Sequence, residues 1–368
     1  MSHSETHLSG PSPIVTRRPI LARLARIIGF RLALGLFTLW IISIVIFAAI
    51  EALPGDFARS SLGRSATPEQ VAILEHQLGL DQPLATRYGA WIGGVVQGDF
   101  GLSLSSKPNR PRPVTAMIAP RLKNTLILAT VAASIAVPLA IGLGVLCALW
   151  RGSLFDRTIS ALTLITISFP EFFLAYLLTY LVISKDIFLH SELAQLLPGW
   201  LSQATQTGLE AIPRFPILAS VNERTGFWEH MWKISLPATV LGLVIIAHMM
   251  RMTRAVLISL LSSQWVEMAR LKGLAPTRIV GRHALRNAWG PVATVVALNL
   301  AYLIAGVVMV EVVFVYPGIG QLMVDAVKQR DIPVVQACAL IFAATYILFN
   351  LIADVIAILA NPRQLHAR

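Results

Sequence analysis

The chain has 368 residues, 55% of them hydrophobic and only 13% charged, with a mean hydropathy of +0.69. Soluble domains carry about 25% charged residues, so this chain cannot coat a water-facing surface of its size. That excludes a soluble enzyme or binding module and leaves the bilayer as the main solvent. The net charge of +11 and pI near 10.3 would suit nucleic acid. The basic residues, however, form no patch interleaved with aromatics, and no nucleic acid is expected as a partner.

About 20 apolar residues cross the hydrocarbon, and six stretches qualify: about 32–50, 126–149, 159–183, 234–250, 292–315 and 333–360. The first is longer than a signal-peptide core and follows Arg17, Arg18, Arg23, Arg26 and Arg31, so it reads as an uncleaved anchor. With the N-terminus inside, the inner pieces are the 1–31 tail, the 151–157 loop, the 251–290 loop and the 361–368 tail. They hold 16 of the 30 Lys and Arg but only Glu5, Asp156 and Glu267 among the acids, a charge of +13. The remainder carries −2, so the whole positive excess lies on one side. This obeys the positive-inside rule and predicts an all-α polytopic membrane protein with six spans and both termini cytoplasmic.

Between the first two spans lies an outer loop, about 51–123. Thr67-Pro68-Glu69-Gln70 opens a predicted short helix there, with Thr as N-cap and Pro at N1. In the second span Ala132, Ala136, Ala140, Gly144 and Ala148 recur every four residues. Such a small-residue stripe lets helices approach closely, within the bundle first and at a subunit interface as the alternative. Pro138, Pro170 and Pro237 sit within or at the mouth of spans, where they predict kinks. A second outer loop, about 185–233, is poorly patterned.

Three carboxylates fall in or near spans: Glu171, Glu311 and Asp354. A carboxylate in hydrocarbon is costly, so each is expected to face a cavity or the protein interior, as a structural acid first and a proton relay second. Glu171, after Pro170, and Glu311 are candidates to line a pathway. His248 reads as an interfacial polar residue at the end of the fourth span. Cys147 and Cys338 lie in apolar stretches and read as small core residues. No Gly is followed by Lys, so no Gly-x-x-x-x-Gly-Lys-Ser/Thr phosphate loop exists, and neither His-Glu-x-x-His nor Gly-x-Ser-x-Gly occurs. No metal site is expected.

The most informative segment joins the fourth and fifth spans, Trp265 to Pro291. It reads as a helix, a glycine stop at Gly273 in the left-handed conformation, and a second basic helix returning to the membrane. A short amphipathic helix there can dock in a partner's groove or lie on lipid headgroups.

This segment resembles the glutamate–alanine–alanine loop of ABC importer permeases. Glu267, Ala269 and Gly273 fall at that pattern's first, third and seventh positions, and Met268 replaces the second. Arg282-His283-Ala-Leu-Arg286-Asn-Ala with Pro291 is similar to the dipeptide, oligopeptide and nickel branch. So are Leu53-Pro-Gly-Asp56, Leu78-Gly-Leu-Asp-Gln-Pro83, Gly98-Asp-Phe-Gly-Leu-Ser103, Asp156-Arg157 and Ser168-Phe-Pro170. Glu311-x-x-Phe-x-Tyr-Pro-Gly-Ile-Gly320, Asp325-Ala and Arg330-Asp-x-Pro333 complete the series.

The resemblance implies a permease subunit in the bacterial inner membrane, surrounded by lipid, paired with a sister permease subunit. It implies two separate ATP-binding subunits carrying ATP and Mg, a periplasmic solute-binding protein, and no cofactor on this chain. Glu267, Ala269, Arg270, Gly273, His283 and Arg286 would couple it to the ATPases. The solute would be peptide-like, with nickel, glutathione or a sugar–phosphate conjugate as alternatives. A proton-coupled secondary transporter is the rival reading, which an internal inverted repeat would favour; none is evident.

Overall fold

The computed structural model describes residues 18–52, 67–69, 72, 76, 82–106, 110–189, 215–222, 224–275, 278–279 and 285–360. Within them the chain is helical. α1 is Arg18–Glu51, α2 Leu84–Val96, α3 Val114–Leu149, α4 Leu154–Ser168, α5 Glu171–Leu189 and α6 Phe227–Lys233. α7 is Ser235–Leu261, α8 Gln264–Leu271, α9 Leu285–Val313, α10 Ile319–Gln329 and α11 Ile332–Ala360. Pro68, Glu69, Ala72 and His76 are also helical, in line with the helix expected after Thr67.

Among the described residues five helices are long and apolar enough to cross a membrane alone: α1, α3, α7, α9 and α11. The sixth predicted span is broken. α4 and α5 meet at a 108° bend instead of running on as one helix. The cause is local. A residue before proline is pushed out of the helical region, and Phe169 is extended at φ −98°, ψ 138°. Pro170 then restarts the helix, its carbonyl accepting from Phe173 and Leu174 N–H.

The broken pair must still return the chain to the other side, because α3 and α7 run parallel. Ala136 lies against Gly242, and further along both helices Gly144 lies against Met250 and Thr253. One face of the bundle gathers the start of α1, the α3–α4 turn, the end of α7, α8 and the end of α11. Arg31 there pairs with Asp354 at 2.6 Å. On the same face Asp156 takes two bonds of 2.7 Å from Arg254 and a third from the Gly152 N–H at 2.9 Å. Asp156 is 4% exposed and Arg254 28%, so the pair is partly buried and breaking it costs less than the about 3–5 kcal/mol of a fully buried one. This anchor also explains why α7 continues to Leu261 instead of stopping near Met250.

The opposite face gathers the end of α1, α2, α6 and α10. Arg87 of α2 binds Glu51 at 2.6 Å. Asp331, at the head of α11, is buried and receives the Ser103 hydroxyl, the Leu104 and Ser105 N–H groups and the Ser105 hydroxyl. Two stretches far apart in sequence, 103–105 and the head of α11 at Asp331, thus form one contact.

The core lies where α3, α5, α7 and α9 meet, around Leu128, Ile234, Leu241, Met249 and Phe314. The stripe Ala132, Ala136, Ala140, Gly144 and Ala148 is wholly buried in α3, and its role is packing within the chain. A Cβ on Gly144 would lie 2.8 Å from Thr253 Cβ and 2.9 Å from the Met250 carbonyl oxygen. Gly144→Val should therefore lower the melting temperature of the solubilised protein, at a cost on the order of 1–3 kcal/mol. Gly142, two residues away, faces open space, and Gly142→Ala should leave stability equal or raise it by up to about 1 kcal/mol. Equal melting temperatures for parent and Gly144→Val would contradict the close α3–α7 approach.

Candidate functional site

The sequence-predicted residues fall into three places. The first is α8. Ser263 precedes it with extended backbone. Its end is a two-bond left-handed cap: Gly273 N–H donates to Arg270 O at 2.8 Å and Leu274 N–H to Ala269 O at 3.2 Å. Gly273 has φ +76°, as its position after the helix predicts, and a side chain there is strained. Val266 anchors the helix inward, while Glu267, Arg270 and Gly273 are exposed and Ala269 is half-buried. Trp265, Met268 and Leu271, spaced three apart, form an exposed apolar edge opposite Val266, with Leu271 76% exposed. Sequence reading placed Met268 only as a departure from the pattern. Arg286 lies in the first turn of α9, and His283 lies outside the described residues.

The second place is the turn from α9 to α10. The Glu311 carboxylate is fully buried and accepts Thr125 Oγ1–H at 2.6 Å, Gly320 N–H at 2.7 Å and Gln321 N–H at 3.3 Å. It therefore caps the first turn of α10, whose free N–H groups and dipole favour an anion. Thr125 in turn accepts from Ile319 N–H at 2.9 Å. A Cβ on Gly318 would run into the same carboxylate, which explains Gly at that position of the motif. Just after α9, Val315 has φ 52°, an uncommon conformation for a β-branched residue. It is held by Tyr316 N–H donating to Glu311 O at 2.8 Å. The Tyr316 hydroxyl donates to Asn124 O at 2.9 Å and lies 3.0 Å from His230 Nε2. Burial, with the charge of Glu311, raises the Tyr316 phenol above its usual range. Burial, then the charges of Lys123 and Lys233, lowers His230.

The third place is the α4–α5 break. Glu171 opens α5 beside Pro170, and its carboxylate lies flat on α9, with Oε2 2.5 Å from where a Gly306 Cβ would be. Among the described residues this half-buried carboxylate makes no hydrogen bond or ion pair. One turn along α9 from Gly306 is Tyr302, 52% exposed, with His248 of α7 at 5.6 Å between ring centroids. Asn299 follows, donating to Val295 O at 2.8 Å and toward Met252 S at 3.7 Å. Tyr302 with the half-buried Glu171 and His248 thus marks one partly uncovered polar face across α5, α9 and α7, and Asn299 lies buried beside it. Because α7 runs to Leu261, His248 sits in mid-helix and not at an end. Tyr302 and Asn299 carry no sequence signal that separates them from ordinary span residues; only helix pairing reveals them. Glu171 and Glu311 are not brought together, since Glu311 points toward α3 and α10.

These geometries predict opposite behaviour of the two acids. Glu311→Gln exchanges an acceptor for a donor facing backbone N–H groups, and one buried group left unpaired costs about 1–3 kcal/mol. Its melting temperature should fall clearly. Glu171→Gln removes no bond and should melt close to the parent while changing transport. Equal stability losses in both variants would contradict this division.

The comparisons with known proteins follow the same segments. Residues 140–366 match the family described as binding-protein-dependent transport system inner membrane component. Residues 24–129 match the N-terminal family of the same transport-system membrane components. The glutathione transport system permease protein GsiC of Escherichia coli (strain K12) is 37% identical over 330 residues, 89% of this chain and 95% of its own. The GsiC proteins of Escherichia coli O1:K1 / APEC and Shigella dysenteriae serotype 1 (strain Sd197) are similar to the same extent. The chain belongs to the binding-protein-dependent transport system inner membrane component family, as a multi-pass permease component of an ABC importer.

Proposed function

We propose that this chain is one half of an ATP-driven importer in the bacterial inner membrane, passing a peptide-like solute into the cytoplasm. The observation that carries the reading is α8: a short, rigidly capped helix with an exposed apolar edge, on the face that gathers Arg31, Arg151, Arg157, Arg251, Arg270 and Lys272. That face is cytoplasmic in this reading, by the positive-inside rule, and both termini lie on it. Two ATP-binding subunits dock there, with ATP and Mg held on them. Trp265, Met268 and Leu271 enter the groove, Glu267 and Arg270 form its polar rim, and Ala269 and Gly273 allow close approach. His283 and Arg286 follow in the same segment. A solute-binding protein delivers from the opposite face.

The polar face of Glu171, His248 and Tyr302 meets a sister permease subunit and forms half of the translocation path. Polar groups left uncovered at membrane depth fit a water-filled path better than lipid. The bend at Phe169–Pro170 gives that wall a joint. Closure of the ATPases then rocks the two bundles, which switches access. Glu311 serves by holding the α9–α10 turn. A peptide-like solute is supported by the glutathione transport permeases that the chain resembles.

Ala269→Asp, Gly273→Asp and Met268→Asp test the docking role. Each leaves the spans intact, and membrane insertion should stay near parental. Co-purification of ATP-binding subunits should fall about tenfold or more, as for a central interface residue, and uptake of a labelled peptide such as glutathione should fall with it. Parental recovery of the ATP-binding subunits by all three variants would show that α8 lies on lipid instead.

A further inference from the structure

The side of α9 turned away from the polar face is apolar. Leu303 and Val307 form the floor of a groove of about 480 Å³, walled by α3 and by Ile341 and Phe342 of α11. On α3 the groove runs from Leu122 to Pro138, roughly 24 Å at 1.5 Å per residue. Three of the four hydroxyls along it are engaged, Thr125 with Glu311, Ser134 with Val131 O and Thr345 with Ile341 O, and Thr130 is the exception in an otherwise apolar lining. The lining therefore suits a hydrocarbon chain and not a hydrated solute.

The mouth is different. Arg121 and Lys123 flank Leu122, one on each side of it around the helix. Arg121 is half-buried and Lys123 exposed, and among the described residues neither makes an ion pair or a hydrogen bond. The charge of Arg121 reaches Glu311, but that carboxylate is already bonded to Thr125, Gly320 and Gln321. The apolar run of α3 begins just past these cations, at Leu126. The groove thus starts at headgroup level. A bilayer with its headgroups is about 40–45 Å thick, so roughly 24 Å is the depth of one leaflet.

We propose that this groove is a specific site for an anionic phospholipid, its phosphate against Arg121 and Lys123 and one acyl chain along α3 as far as Pro138. Each cation near a bilayer surface attracts an anionic headgroup by about 1 kcal/mol, and Arg121 and Lys123 border the mouth from its two sides. An apolar channel one leaflet deep fits a single chain. A helix of another subunit would bury the same apolar wall but would leave the two cations without an anion.

Native mass spectrometry tests this on the full chain, extracted with the subunits it carries, and titrated with phosphatidylglycerol or with phosphatidylcholine of the same acyl chains. The parent should retain phosphatidylglycerol in preference. Arg121→Gln and Lys123→Gln should each weaken that preference by about fivefold. Ala133→Trp, which fills the groove, should remove one bound lipid of either kind. If Ala133→Trp fails to fold, the two surface variants still decide. No preference in the parent, or a preference unchanged in the Arg121→Gln/Lys123→Gln double variant, overturns the site. Cross-linking of an Ala133→Cys variant to a sister subunit would also overturn it.

Discussion

The buried carboxylate of Glu311 is the interaction on which the rest of the bundle's outer end depends. One side chain on α9 satisfies the first turn of α10 and fixes Thr125 of α3. Through Tyr316 the same junction reaches Asn124 and His230. A carboxylate this deep is tolerable only because every donor around it is already aimed at it. In return it holds three helices at one register where Val315 and Arg330 both sit in the left-handed region. The Glu311-to-Gly320 motif is therefore legible as mechanics. The acid caps, Tyr316 ties back to α3, and Gly318 leaves room for the carboxylate.

From that fixed end the helices diverge in function. α9 presents two unlike sides: Tyr302 and Gly306 toward α7 and Glu171, Leu303 and Val307 toward the apolar groove. α7 is held at the other end by Asp156 and Arg254, beside the α8 helix. A movement delivered to α8 thus has a stiff path, through the α7 anchor, to the polar face. Among the described residues the sharp bend between long helices is at Phe169–Pro170, and it lies at that face.

The membrane character, five of the six expected spans and the small-residue stripe were legible because each is set by local composition or period. Gly273 was legible because a helix end needs a residue that accepts positive φ. Boundaries were less so. α7 outlasts its apolar run because Arg254 finds Asp156, a partner 98 residues away. α2 was missed because Leu84–Val96 buries no residue and carries no strong cap signal. The third span was expected as one kinked helix, and a proline in sequence does not reveal whether its helix bends by 20° or by 108°. Asp331 was quoted only as part of a motif; its buried bonds to the 103–105 segment depend on tertiary contact. Tyr302 and His248 were invisible as a pair for the same reason.

In the proposed importer the α5–α7–α9 face is wet and moves with the ATP cycle, while the α3–α9–α11 side stays in lipid. The native thiols Cys147 and Cys338 are both buried, so a single introduced cysteine can be read against a quiet background. The most direct measurement is the labelling rate of Tyr302→Cys and Ala133→Cys by a membrane-impermeant thiol reagent, in the assembled transporter with and without ATP. Tyr302→Cys should react, at a rate that changes when ATP is added, and Ala133→Cys should stay inert in both states. Reaction at Ala133→Cys with Tyr302→Cys inert throughout would place the path on the wrong side of α9 and contradict the assignment.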